Sequence, residues 1–347
     1  MIPPPPPSEK VWVLDDSRAG NSAQAIGIAE RLDVSVRRIP LSWNWMADVA
    51  SLAWRGSVLG VAPPAAGDDE SARTWSFATV MDHAVAGAPL LVISAGSRAA
   101  SVALWLRERL DCRVVSCMNP GIGNALRARS YDLAVIAEHD QPPLAPNIFP
   151  VLGAPHRLSP SLLRHAAARW AERLDYLPHP RIALLIGGTR DNPFRGPDLS
   201  PALAHTLARK VARIAASRGG SVLATTSRRT GPEATEAIGA GLGRVLHQLY
   251  RWGEPGENPY TGFLALADAI VVTADSIGML SEACATAAPV FVAAPELAGP
   301  RQKRLIAGLI QAGHARHLGR GLAEWKRTPL DEAGRVALEV RRRFSLD

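Results

Sequence analysis

Short runs rich in Val, Ile and Leu alternate along this chain with longer segments that place apolar residues at helical spacing, and that alternation limits the possible folds more than any other feature. In the first half "KVWVLD", a helix from about Asn21 to Leu32 and "VSVRRIP" are followed by "PLLVISAG", "SRAASVALWLRERL", "RVVSCMN", "YDLAVIAEHD" and the helix "SPSLLRHAAARWAERL". In the second half "RIALLIGG" leads through "SPALAHTLARKVARIAASRG", "SVLATTS", a helix from Pro232, "RVLHQLY" and "PYTGFLALAD" to "AIVVTA", "PVFVAA" and a helix from Arg301. Runs apolar at successive positions are strands buried on both faces, which is the signature of parallel sheets. Strand–helix alternation then predicts sheets wrapped by helices. Two prolines in "DYLPHPR", residues 175–181, separate a finished helix from a new strand, and 347 residues are long for one core. The expected fold is therefore α/β, with two doubly wound Rossmann-like domains facing a cleft. The expected boundaries are a proline-rich tail at 1–10, a first domain at 11–175, a second at 181–330 and a final helical segment at 331–347.

Composition narrows the function classes. With 47% hydrophobic and 20% charged residues the chain has the make-up of a soluble globular protein, and no run approaches the ~18 apolar residues of a membrane span. "MIPPPPPSEK" has neither apolar core nor cleavage site, so a polyproline tail is expected rather than a signal peptide. Cys112, Cys117 and Cys284 each lie in or beside an apolar segment; they read as reduced core residues of a cytosolic protein, and no zinc spacing is present. The net charge of +7 favours anionic partners such as nucleotide phosphates or lipid headgroups. Its arginines are scattered apart from "RVALEVRRRF", and no nucleic-acid module is recognisable, so nucleic acid is not an expected partner.

The most informative stretch is "TADSIGMLSEACATAAPV", residues 273–290. It leaves a buried strand through a polar loop, opens a helix and returns to a strand. Asp275 and Ser276 are both good helix caps, and Leu280, Ala283, Cys284 and Ala287 recur at helical spacing. Loops at the carboxyl ends of parallel strands bind ligands in open α/β sheets, and helix-opening amides favour an anion. Glu282, one turn into the helix, faces either that ligand or water. Other strand-end loops carry candidates of the same kind. Gly187 and Gly188 permit a tight turn, against which stands an ordinary connection. Arg228 and Arg229 suit bidentate phosphate binding, or serve solubility. In the first domain Asp15, Asp16 and Ser17 bring polar groups to the sheet edge, Gly20 and Asn21 open the next helix, and Ser97 reads as the cap of another. "AEHD" places Glu138, His139 and Asp140 just beyond "LAVI", where His139 is either a reactive group or a buried, hydrogen-bonded one. His156 and Arg157 follow in "GAPHRLSP", with Arg157 within reach of the expected cleft.

These motifs carry a resemblance. "ADAIVVTADSIGMLSEACATAAPVFVAAPE" resembles the sugar-nucleotide-binding segment of GT-B glycosyltransferases such as the N-acetylglucosaminyl transferase of peptidoglycan synthesis. The whole chain, through "LDDSRAGNSAQAIGIAERL", "ISAGSRAASVAL", "AEHD", "GAPHRLSP", "LLIGG", "SRRTGPEA" and "GENPYTGFLALADAIVVTADSIGMLSEA", is similar to the mitochondrial fission family named after "elongated mitochondria" in plants, which has many bacterial members. The GT-B resemblance implies that Glu282 hydrogen-bonds the ribose of a nucleotide, that Ser276, Ile277 and Gly278 offer amides to its diphosphate, and that Gln302 contacts the donor sugar. Gly187, Gly188, Arg228 and Arg229 join that donor site. Asp275 departs from the pattern, because a carboxylate beside a diphosphate is repulsive; it caps the helix or binds a cation or hydroxyl. An inverting sugar transfer also needs a base, for which His139, Asp140, Glu138 and Asp16 are the candidates. No metal and no tightly bound cofactor are implied, the nucleotide-sugar being a co-substrate. The resemblance also allows the final helix to cross back to the first domain.

The expected function is transfer of a sugar from a nucleotide-sugar to a cell-envelope lipid or glycan acceptor. The rivals are a non-catalytic adaptor that recruits a protein partner, as the plant relatives do in fission, and a nucleotide-sugar epimerase. Residues 41–60, "LSWNWMADVASLAWRGSVLG", bear on location. They read either as a buried helix or as a surface helix or loop that sinks Trp rings into an anionic membrane interface. The second reading places a cytoplasmic protein peripherally on the inner face of the cytoplasmic membrane.

Overall fold

The computed structural model describes residues 10–48, 56–62, 88–119, 127–188, 198–319, 321–323 and 325–346. The chain divides into two compact units, Met1–Arg157 with Glu332–Asp347, and Leu158–Asp331.

The first unit is built on a seven-stranded sheet of order β3-β2-β1-β4-β5-β6-β7. Its strands are β1 (Val11–Asp16), β2 (Val36–Trp43), β3 (Val61–Ala62), β4 (Leu91–Ala95), β5 (Arg113–Cys117), β6 (Leu133–Ala137) and β7 (Ile148–Val151). All pair in parallel except β3, which is antiparallel to β2. Central β4 is buried at every position. Val11, Val13, Leu91 and Ile93 face one core cluster, and Trp12, Leu14 and Val92 face another, as the period of two requires. The helix Glu332–Phe344 closes the first of these clusters with Ala333, Val336, Ala337 and Val340, at helical spacing. The last helix of the chain thus belongs to the first unit. Glu332 anchors it, accepting the Leu152 amide at 2.7 Å and the Arg335 guanidinium at 2.6 Å.

The second unit has a fully parallel six-stranded sheet of order β10-β9-β8-β11-β12-β13. These are β8 (Arg181–Leu185), β9 (Ser221–Thr225), β10 (His247–Tyr250), β11 (Ala269–Thr273), β12 (Val290–Ala293) and β13 (Arg316–His317). In both sheets the chain winds outward in one direction and then in the other, so β1/β4 and β8/β11 are switch points at which the strand ends diverge. The two doubly wound units are the expected α/β architecture.

Four details differ from the sequence reading. The break between units falls at Arg157/Leu158 rather than at 175–181. The helix Pro160–Trp170 packs with the second unit, where Trp170 lies over Gly262 and joins Leu174, Leu177, Leu223 and Phe263. Residues 41–60 are not one helix: Leu41–Trp43 end β2, and Trp43 and Val61 pair across to β3. Residues 49–55 of that stretch lie outside the described residues, as do 1–9 of the tail. Ser97 does not cap its helix; the cap position is Gly96, with φ of 83°. Short β3, β7 and β13 were not expected from the sequence, and β7 carries Pro150, which an edge strand tolerates.

Candidate functional site

At the β8/β11 switch point of the second unit, two loops are knitted together around one carboxylate. Asp275, just beyond β11, accepts the Gly188 amide through Oδ2 at 3.0 Å, while Arg229 approaches the same oxygen at 3.7 Å. The Asp275 side chain is 1% exposed and that of Arg229 34%, so the pair has a buried anion and a cation that reaches water. Gly187 is required here, because a Cβ would run into the Asp275 carboxylate; a Cβ on Gly188, with φ of 152°, would run into the Arg229 carbonyl. The Gly187 amide donates to Thr273 Oγ1 at 2.8 Å, and its carbonyl accepts Ser227 Oγ at 2.8 Å and the Thr230 hydroxyl. The loops after β8, β9 and β11 are thereby held as one rim.

Ser276 caps the helix Ile277–Cys284, its hydroxyl accepting from the Met279 amide at 3.4 Å. Asp275 therefore does not serve as the cap; it holds the β8 loop instead. Ile277 is half-buried and Gly278 exposed at the open end of that helix, where the first amides have no intrahelical acceptor. One turn on, Glu282 accepts the Tyr260 hydroxyl at 2.5 Å. Burial pushes the Glu282 carboxyl above the ordinary glutamate range, and the Tyr260 hydrogen bond pulls it partly back. Tyr260 is itself raised, by burial first and then by the Glu282 charge. Gln302 is buried, with Nε2 directed at the Asp275 carbonyl at 3.4 Å, so the structure places it as a tie between the helix Pro300–Gln311 and the rim. Arg228 and Arg229 do not act as a pair: Arg228 points into solvent and Arg229 lies beside Asp275. Thr189 and Arg190, next along the β8 loop, lie outside the described residues.

The first unit's strand ends are arranged differently. Asp16 is 3% exposed and accepts the Arg18 amide at 3.0 Å, Asn21 Nδ2 at 2.7 Å and the Trp43 indole N–H at 2.8 Å. Three donors on one carboxylate make a clasp that ties β1, β2 and the helix Ala19–Ala29, and they leave it poorly placed as a base. Asp15 pairs with Arg38 at 2.5 Å and takes the Ser22 hydroxyl. Arg98, at the start of the helix Ser97–Leu110, grips Asp48 with two hydrogen bonds at 2.8 and 2.5 Å. Glu138, His139 and Asp140 form one 3-10 turn beyond β6. Successive side chains on such a turn leave in different directions, and exposure follows: Glu138 is exposed, Asp140 half-buried and His139 buried. Arg157 is held by Glu30, at 3.0 and 2.5 Å. Cys112, Cys117 and Cys284 are buried, and desolvation pushes their thiols to about 11, 12 and 12, so they are inert core groups. Among the described residues no cluster of three or more His, Cys, Asp or Glu could hold a metal ion, and no helix is long and apolar enough to cross a membrane.

Sequence reasoning did not single out Tyr260, Ser227 or Thr230 for the rim, nor Trp43 for the Asp16 clasp.

Comparison with known proteins decides the family. The family described as mitochondrial fission ELM1 matches residues 19–344. The chain belongs to that family. The ELM1 mitochondrial fission protein of Arabidopsis thaliana is 29% identical over 284 residues, 74% of this chain and 64% of the plant protein, so the chain spans less than two thirds of that relative. An uncharacterized protein of Rickettsia prowazekii is 23% identical over 367 aligned positions, covering 94% of this chain and 96% of its own length. Among solved structures, the UDP-GlcNAc 2-epimerase of Methanocaldococcus jannaschii superposes with a TM-score of 0.53 at 12% identity, covering 96% of this chain and 98% of the epimerase. Its complex with UDP-GlcNAc and UDP gives 0.51 at 13% identity with the same coverage. At such identities the likeness is one of fold, and this ELM1-family chain has the GT-B-like fold.

Proposed function

We propose that this ELM1-family protein binds a nucleotide-sugar at the second unit's strand-end rim and transfers the sugar to an envelope lipid or glycan. The observation that carries the reading is the convergence at β8/β11 of a glycine turn, a partly exposed Arg229, the open start of the helix Ile277–Cys284 and the half-buried carboxyl of Glu282. Helix amides and a guanidinium complement a diphosphate, and a desolvated carboxylate accepts paired ribose hydroxyls. That a fold neighbour was crystallised with UDP-GlcNAc and UDP supports a nucleotide-sugar as the ligand class. In this reading the donor takes Gly187, Gly188, Arg229, Ser276, Ile277, Gly278 and Glu282, with Arg228 at the margin and Gln302 behind the rim. The acceptor falls to the first unit, where Glu138 is the exposed carboxylate and His139 and Asp140 complete the turn. Trp45, 79% exposed, is free to meet a membrane surface, whereas Trp43 is committed to Asp16.

Two other readings share the rim. An epimerase releases an altered nucleotide-sugar without acceptor, and an adaptor binds a protein without turnover. Incubation with UDP-GlcNAc and a membrane extract, followed by product analysis, separates the three. Acceptor-dependent release of UDP is expected. An isomerised sugar nucleotide formed without acceptor would establish the epimerase, and nucleotide binding with no product would favour the adaptor.

A further inference from the structure

We propose that Tyr260 is the positioning residue for Glu282, holding one carboxylate oxygen so that the other is presented, ionised, to the vicinal hydroxyls of a ribose. The inference rests on the nucleotide reading above and goes beyond it in naming how the carboxylate is aimed.

The geometry is specific. Tyr260 opens the helix Tyr260–Leu266, and its own amide is pinned by Asn258 Oδ1 at 3.0 Å. Two residues on, Gly262 lies against Trp170, and a Cβ there would strike the indole, so this helix start packs closely on its neighbour. From that fixed start the phenol reaches Glu282, 22 residues later in the chain, and donates to Oε2 at 2.5 Å. A carboxylate accepts through both oxygens, so a donor on Oε2 restrains the group and leaves Oε1 for the ligand. Without the phenol, Glu282 has several rotamers and, in its buried setting, a stronger tendency to hold a proton. A protonated carboxyl is a poorer partner for two hydroxyl donors.

Other groups near Glu282 do not take this role. The helix Ile277–Cys284 packs on β11 and β12, whose residues, "AIVVT" and "VFVA", carry no ionisable side chain. Arg327 binds the carbonyls of Ala283, Cys284 and Ala288 at the helix's far end, and Cys284 donates to the His314 carbonyl. Among the described residues, the titratable group facing Glu282 is Tyr260.

The sign follows from the direction of the shifts. Glu282 must be ionised to bind, so nucleotide affinity rises with pH through its carboxyl pKa. Removing the phenol takes away a hydrogen bond that lowers this pKa, so the rise moves to higher pH. The experiment is calorimetric titration of wild type, Tyr260→Phe and Glu282→Gln with UDP, GDP, ADP and CDP, between about pH 5 and about pH 8. The ligand's own phosphate titration is common to all three proteins, and Glu282→Gln supplies that background. Expected are a wild-type profile steeper than the background and a Tyr260→Phe profile shifted upward. Near the wild-type midpoint Tyr260→Phe should bind about tenfold more weakly, recovering in part at higher pH. A Tyr260→Phe midpoint equal to wild type, while Glu282→Gln is weak and flat, overturns the role of Tyr260 but leaves the nucleotide reading intact. Wild-type affinity and profile in Glu282→Gln overturns the roles of Glu282 and Tyr260 while nucleotide binding stands, and no binding of any of the four nucleotides by wild type overturns the nucleotide reading as well.

Discussion

The two switch points of this molecule have the same topology and opposite chemistry. Each places a buried aspartate where a central strand ends, Asp16 as the last residue of β1 and Asp275 just beyond β11. Asp16 is saturated by its own surroundings, an amide, an asparagine and an indole, and Arg98 at the neighbouring helix start is taken up by Asp48. Asp275 holds a glycine turn from below, while the groups around it, Arg229, Gly278 and Glu282, remain partly open. Topology alone marks where a doubly wound sheet can bind. Whether it does depends on whether the polar groups there are consumed internally or left to a ligand, and on that criterion the second unit is the binding half.

The comparison is tested most severely by a crossed pair of substitutions. Glu282→Gln should weaken nucleotide binding by about ten- to more than a hundredfold, the weight of hydrogen bonds to a charged group, with the melting temperature nearly unchanged. Asp16→Asn should do the reverse. The amide turns an N–H toward one of three donors, costing about 1–3 kcal/mol of first-unit stability, while nucleotide affinity stays at the wild-type value. Loss of affinity in Asp16→Asn would break the contrast between the halves. Next in size, Arg229→Ala should reduce affinity for a nucleoside diphosphate about tenfold while affecting the bare nucleoside less, and Arg228→Ala should do little to either. Equal losses for both ligands would assign Arg229 to holding Asp275 instead of phosphate. The smallest effect belongs to a group on the last helix. Glu339 is held down to about 2 by hydrogen bonds from Arg342 and Arg343 on the last helix, against an ordinary value of 4.5. Its contribution is present above that ordinary value and is lost as pH falls toward about 2. Glu339→Gln should therefore lower the melting temperature by about a degree or two near neutrality, with the curves of variant and wild type converging in acid.

Much of this architecture was legible in the residues. β4, β8 and β11 are buried on both faces, so "LVISA", "RIALL" and "AIVVT" read as strands without ambiguity. The edge strands were not legible, because β3 and β13 are two residues long and β7 contains a proline. The unit boundary was misplaced because a proline pair marks a turn, whereas the boundary follows what the helix Pro160–Trp170 packs against. At the site, Glu282, Gly187 and Ser276 could be found from local grammar: a strand, a loop, a capped helix. Tyr260 and Trp43 could not, since each acts on a partner more than twenty residues away and periodicity carries no record of such pairings. The split of Arg228 from Arg229 was likewise invisible, because adjacency in sequence does not tell which of two side chains turns inward.

Amide hydrogen exchange with and without bound nucleotide, using whichever of UDP, GDP, ADP and CDP binds most tightly, tests the central claim most directly. The account predicts that protection gathers in peptides spanning Ile186–Gly188, Ser227–Thr230 and Asp275–Glu282, with no change at Asp15–Ser22 or Ser94–Ala100. Protection centred on the first unit's strand ends, with the second unit's rim unchanged, would contradict it.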